Sequence, residues 1–181
     1  MGDPDQPLFE EPILMENKYD YITRRGEFKD RTGYEGQSSS DCIICQIIAK
    51  DKNTKGYEIY RNDSFIVFLN LFPYTSGHIM ISPLEHIRDF EEFPVGLATS
   101  FGEFTQKCIR LVKVAMHSDS VNVGWNQGPV AGGSIKHWHA HVVPRYPNEL
   151  NFIEIIARSR PVIQSLELTQ KILKEHVHLL E

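Results

Sequence analysis

The sequence predicts an α+β domain, and three observations carry that expectation. Short apolar segments between residues 56 and 82 are separated by tight turns, a pattern that pairs most simply as an antiparallel meander. A long segment opening at Pro94 repeats its apolar residues at three and four spacing, as an amphipathic helix does. Alternating patterns return after it, at residues 120–125 and 137–142, so strands lie on both sides of one long helix.

At 181 residues, 41% hydrophobic and 24% charged, the chain is long enough for one domain with a sizeable core. The net charge of −5 argues against nucleic-acid binding, which calls for a basic surplus, but leaves room for an anionic small molecule. No apolar run is long enough to span a membrane. The first residues include Asp3, Pro4, Asp5 and Pro7 and lack the apolar core of a secretory signal. With no such signal, the chain's 3 cysteines predict a reducing cytoplasm.

Taken in order, residues 1–40 are polar and irregular and read as an extension whose aromatics Tyr19, Tyr21, Phe28 and Tyr34 could dock on the core; the domain proper is residues 41–181. Asp41 is expected to cap a short helix over residues 42–50, striped by Ile43, Ile44, Ile47 and Ile48. Residues 56–61 and 64–70 read as strands joined at Asn62-Asp63, and residues 78–82 as a third, ended by Pro83. Pro94 suits the first position of a helix running to about residue 117, with Leu97, Phe101, Phe104, Cys108, Leu111, Val112 and Ala115 on its core face. Residues 120–125 form a fourth strand, a glycine-rich loop covers 126–134, and a fifth strand carries three histidines. Residues 152–156 are apolar, and residues 161 to about 178 read as a closing helix.

Three constellations carry chemistry. His137, His139 and His141 alternate with Trp138, Ala140 and Val142, so in a strand the imidazoles would share one face. Three imidazoles are a costly way to fill a core, and the pattern points to a metal site or to a face that handles a polyanion. The loop Asn126-Gln127-Gly128-Pro129-Val130-Ala131-Gly132-Gly133-Ser134 offers backbone N–H groups and a hydroxyl to an anion, without the lysine or the following helix of a P-loop. Cys42 and Cys45 have the spacing of half a zinc site, with His86 and His137 as candidate complements; a redox pair or two half-buried thiols are the alternatives. His78 could lie near the triad or be a satisfied core histidine.

Together these pieces resemble the histidine triad (HIT) superfamily, whose signature His-φ-His-φ-His-φ-φ, with φ apolar, reads His137-Trp138-His139-Ala140-His141-Val142-Val143 here. The resemblance spans residues 42 to about 173 and includes Asn70-Leu71-Phe72-Pro73-Tyr74-Thr75-Ser76-Gly77-His78, Pro83-Leu84-Glu85-His86 and Ala131-Gly132-Gly133-Ser134. It implies a five-stranded antiparallel sheet with a long helix and a C-terminal helix, in a subunit that forms a homodimer. It implies cleavage of a purine nucleotide or dinucleoside polyphosphate, such as diadenosine tri- or tetraphosphate, with Mg2+ accompanying the polyphosphate. His139 would attack the α-phosphate to form a covalent nucleotidyl-histidine, which phosphate or water then releases. His141 would bind phosphate oxygens and assist the leaving group, and His78 would support the cluster. Asn70 would hold the ribose, and Asn126, Ser134 and the Gly133 backbone would contact phosphate.

The resemblance also implies a structural zinc on Cys42, Cys45, His86 and His137. Leu71-Phe72-Pro73-Tyr74, Gly132-Gly133-Ser134 and Asn151-Phe152-Ile153 are similar to the diadenosine polyphosphate phosphorylases. The Gly-Pro loop is similar to the triphosphate hydrolases, and Tyr146, counted with the nucleotide-binding residues, stands where phosphorylase-like members carry tryptophan. Adenosine phosphoramidate hydrolysis, a zinc-dependent hydrolase with all three histidines on the metal, and a non-catalytic nucleotide-binding protein are the alternatives.

Overall fold

The computed structural model describes residues 13–15, 41–147, 160–162 and 164–181. The sequence segment 152–156 and the aromatics Tyr19, Tyr21, Phe28 and Tyr34 lie outside the described residues. The elements run β1 (Ile13–Met15), α1 (Ile43–Ile48), β2 (Glu58–Arg61), β3 (Phe65–Leu69), β4 (Ile79–Pro83), α2 (Val95–Ala115), β5 (Ser120–Trp125), β6 (Ala140–Arg145), β7 (Arg160–Val162) and α3 (Leu166–Lys174). A 5-stranded antiparallel sheet has the order β2-β3-β4-β6-β5, so the fold is α+β as expected.

The meander holds only for β2, β3 and β4. After α2 the chain forms the antiparallel pair β5–β6, and β6 enters the sheet beside β4 with Met80 opposite His141. The central strands Phe-Ile-Val-Phe-Leu and Ile-Met-Ile-Ser-Pro are buried at every position, so both faces need cover. Period-2 geometry divides them. Phe65, Val67, Leu69, Ile79 and Ile81 join Phe101, Phe104, Cys108, Leu111 and Val112 of α2 in one core cluster, as the apolar stripe of α2 predicts. Ile66, Phe68 and Met80 face the other way and meet Ile44 and Ile47 of α1. Leu111 is completely buried in the larger cluster. Its replacement by alanine is expected to cost about 2–5 kcal/mol, read as a lowered urea midpoint at unchanged slope.

Three boundaries differ from the sequence expectation. Cys42, not Asp41, stands at the N-cap position of α1 and makes no side-chain cap bond, and the helix is the shorter Ile43–Ile48. Pro94 is likewise one position outside α2, at its N-cap, with ψ 143. The continuous closing helix is replaced by β7, then α3, then a 3-10 turn at Val177–Leu180. Ser165 starts α3 afresh by accepting a hydrogen bond from Leu168 N–H at 3.2 Å. β7 pairs antiparallel with β1, so Ile13–Met15 of the N-terminal stretch pair with a segment from the far end of the chain.

The fifth strand also starts later than expected. β6 begins at Ala140, leaving His137 and His139 ahead of it. The backbone groups of Trp138 explain this: its N–H donates to Ile87 O at 2.7 Å, and its carbonyl accepts from Ser82 Oγ at 2.7 Å. Those bonds hold the chain before it joins the ladder. Alternation still works on the apolar side, where Trp138, Ala140 and Val142 enter the main core. The Trp138 ring packs among Phe93 (centroids 4.8 Å), Phe101 (4.9 Å), Phe90 (5.4 Å) and Trp125 (5.4 Å).

Candidate active site and metal centre

The histidines meet different neighbours. His137 points its Nε2–H at the Pro83 carbonyl, 2.9 Å away, and that bond leaves Nδ1 with a lone pair. Cys45 Sγ lies 3.4 Å from this Nδ1 and 3.1 Å from His86 Nδ1. With Cys42, one donor atom from each of these four residues lies within 4.8 Å of the others. Tetrahedral zinc with ordinary Zn–S and Zn–N bonds spaces its ligands about 3.3–3.8 Å apart, so a Cys2His2 set at these separations fits that ion. Without an ion, burial and then the neighbouring Cys42 push the Cys45 thiol up to about 12; a dication reverses that preference. Burial, above all, lowers His137 to about 4, which keeps it a neutral ligand.

His139 belongs to the other side of the segment. Its Nδ1–H donates to the His137 carbonyl at 2.9 Å, so the neutral ring carries its lone pair on Nε2. The ring is 6% exposed, and burial lowers its pKa, opposed by that backbone bond. His141, the one triad residue within β6, packs edge-on against His139 with centroids 5.1 Å apart. Its tautomer is set by a relay. Tyr74 N–H donates to His78 Nδ1 at 3.1 Å, which puts the His78 proton on Nε2, 3.0 Å from His141 Nδ1. His141 therefore accepts at Nδ1 and carries its own proton on Nε2.

These rings open onto a cleft of about 220 Å³ lined by Asn70, Asn126, Gly132 and Ser134 with His139 and His141, and by Phe72, Tyr74, Met80 and Ile135. Sequence-chosen residues from four separate stretches thus converge, because Asn70 directly follows β3, His78 precedes β4, and the loop between β5 and β6 brings Asn126 and Ser134 to the same cleft. Phe72 stands at the wall 65% exposed.

Two chosen residues lie elsewhere. Tyr146 does not line the cleft; its hydroxyl sits 3.3 Å from the carbonyls of Ser76 and Met116, tying the end of β6 to the turn before β4 and the end of α2. Gly133 N–H is taken by the Gly128 carbonyl at 2.9 Å, closing the loop on itself. What Gly133 supplies is room: a Cβ there would meet Asn126 O at 2.8 Å and Gly128 O at 3.0 Å. Sequence reasoning missed Tyr74, which stacks on His78 at 4.7 Å as well as donating to it. The turn from Pro73 to Gly77, with Gly77 at φ 88, brings residue 74 back to residue 78 and was the available signal.

The histidines make stability pH-dependent. Burial first, and the adjacent His139 second, take His141 from the ordinary 6.5 to about 4. Between those values the unfolded chain binds the proton and the folded chain does not, so stability is full above pH 6.5 and falls on acidification. From pH 7.5 to pH 5 the loss through this residue is expected to reach about 2 kcal/mol. Urea unfolding at the two pH values measures it, and His141→Gln should reduce the difference.

A buried histidine cluster beside a glycine-rich loop, on an antiparallel sheet, defines a histidine-triad type of domain. The HIT domain family model matches residues 51–148, and the chain belongs to that family. The matched region holds Asn70, His78, His86, Asn126 and the triad, while Cys42 and Cys45 precede it. The chain is 38% identical over 120 residues to the AP-4-A phosphorylase of Mycobacterium tuberculosis, covering 66% of this chain and 62% of that protein's length. It is 32% identical over 108 residues to Protein hit of Bacillus subtilis, covering 60% of this chain and 73% of that protein. The crystal structure of a zinc-bound histidine triad family protein from Mycobacterium smegmatis superposes with a TM-score of 0.66 at 26% identity, over 79% of this chain and 97% of the other.

Proposed function

We propose that this chain cleaves dinucleoside polyphosphates, diadenosine tetra- or triphosphate, by nucleotidyl transfer through His139. The observation that carries the reading is the pair of opposite tautomers at one cleft: a lone pair on His139 Nε2 and a proton on His141 Nε2. In the first step His139 Nε2 bonds to the α-phosphorus, and the bond to the bridging oxygen breaks with its electron pair on the leaving nucleotide. His141 Nε2–H donates to the oxygens that gain charge, a term that is large in a water-poor site. His78 and Tyr74 hold His141 in that tautomer. In the second step an oxygen of phosphate or water attacks the same phosphorus and releases His139. Asn70 is assigned to the ribose, and Asn126 and Ser134 to the phosphates.

Similarity to the mycobacterial AP-4-A phosphorylase supports phosphate as the second acceptor. Among the described residues no carboxylate lines the cleft, so Mg2+ would travel on the substrate's own phosphates. Zinc is assigned to Cys42, Cys45, His86 and His137, supported by the zinc-bound mycobacterial relative and the donor geometry. There it supplies a structural cross-link and no chemistry. The separate partners of the three triad histidines speak against a reading in which all three hold one catalytic ion. A homodimer belongs to the same reading, checked by light scattering. No described helix is long and apolar enough to cross a membrane.

Product analysis with diadenosine tetraphosphate, with and without inorganic phosphate, tests the proposal. Phosphorolysis gives ADP and ATP; hydrolysis gives AMP and ATP. No nucleotide release under either condition sinks the reading.

A further inference from the structure

The cleft has a second chamber. A cavity of about 390 Å³ lies against the same sheet face on the β5 side and shares Tyr74, Asn126 and His141 with the first. His141, Val143 and Arg145 alternate along β6, so they face one way. Gly124 is the register partner of His141, and a Cβ built on it would have no atom within 4 Å. The missing side chain leaves an open passage beside the histidine. Asn122, two residues before Gly124 on β5, and Arg145 both line the far chamber. Among the described residues lining either chamber, Arg145 is the one cation, in a chain of net charge −5. Four residues of strand separate its Cα from that of His141 by about 13 Å. A guanidinium there is placed for phosphates beyond the scissile one, which an arginine can bind with paired hydrogen bonds.

Resting on the nucleotidyl-transfer reading above, we infer that the second chamber receives the departing polyphosphate arm, and that Arg145 sets the preference for an anionic leaving group. Diadenosine tetraphosphate then fills both chambers, with the transferred nucleotide beside His139 and the rest past Gly124. Adenosine phosphoramidate, whose leaving group is ammonia, fills only the first. Arg145 is a specificity-determining residue in this scheme and takes no part in the bond changes at phosphorus.

The test is the ratio of kcat/KM for diadenosine tetraphosphate to that for adenosine phosphoramidate, in the wild-type protein, Arg145→Ala, Arg145→Lys and Gly124→Val. Arg145→Ala should lower the ratio by on the order of 10- to 100-fold, as loss of a charge-assisted pair predicts. Arg145→Lys should restore part of it, and Gly124→Val should lower it by narrowing the passage. An unchanged ratio in Arg145→Ala, whether both activities fall together or neither moves, overturns the inference. A binding arm separates this from the failure of the catalytic reading. By calorimetry, wild-type protein should bind ATP at least about tenfold more tightly than AMP, and Arg145→Ala should close that gap. If no turnover is found, this gap and its closure still decide: equal affinities in the wild type, or a gap untouched by the substitution, overturn the assignment.

Discussion

Replacing His139 by asparagine should lower kcat on diadenosine tetraphosphate by on the order of 10⁴- to 10⁶-fold, the scale of loss when a covalent nucleophile is removed. Asparagine keeps a side-chain N–H that can reach the His137 carbonyl and is smaller than imidazole, so the segment's backbone has no reason to move. The melting temperature should therefore stay within a few degrees while turnover vanishes. Steady-state kinetics and a circular-dichroism melt measure both quantities on one preparation. Rapid quenching of the wild-type enzyme should in addition trap a nucleotidyl adduct at His139, found by peptide mass spectrometry. Turnover within tenfold of wild type in the variant would refute the mechanism. His141→Asn should behave differently, because its N–H serves the leaving group. Its loss should weigh most on substrates with poor leaving groups.

Replacing Cys42 and Cys45 together by serine should remove bound zinc and lower the melting temperature by on the order of 10 °C. The four donors come from the start of α1, from the loop after β4 and from the segment ahead of β6, so the ion would cross-link three parts of the chain that are far apart in sequence. The same substitution should lower kcat by about 10- to 100-fold, although none of the four residues lines the cleft. The path is short. His137 is held by the cluster on one ring nitrogen and by Pro83 on the other, and its carbonyl fixes the tautomer of His139. If His137 drifts, His139 loses the partner that leaves its lone pair on Nε2. Metal analysis, calorimetry and kinetics on the double variant check the three expectations. Zinc content near zero in both proteins, with equal melting temperatures, would remove the metal from the account.

Much of the fold was open to sequence reasoning because its elements obey local periods. The stripe from Phe101 to Ala115 could bury only one face of a helix, and it does. The strands β3 and β4 lie within a residue of the apolar runs that predict them, since Asn62-Asp63 and the Pro-Gly turn punctuate those runs. Helix caps were less legible. Asp41 and Pro94 each sit one residue outside the expected role, because which backbone N–H groups lack partners depends on where neighbouring elements end. The closing helix was misread for the same reason: Arg160–Val162 pair with Ile13–Met15, a partner about 150 positions away that no local pattern announces.

The site divides in the same way. By itself the sequence determined which residue types could do the chemistry: three alternating histidines, a cysteine pair, and a glycine loop ending in a serine. It could not assign their protons. A neutral imidazole has two interchangeable nitrogens, and only a partner in space chooses between them. The Pro83 carbonyl chooses for His137, the His137 carbonyl for His139, and the Tyr74–His78 relay for His141. The structure also engages two chosen groups away from the cleft: the Tyr146 hydroxyl at the distant carbonyls of Ser76 and Met116, and the Gly133 amide at Gly128 O within its own loop. Alternation set the order of the residues, and the carbonyls and rings that folding brought beside each histidine decided which nitrogen it could use.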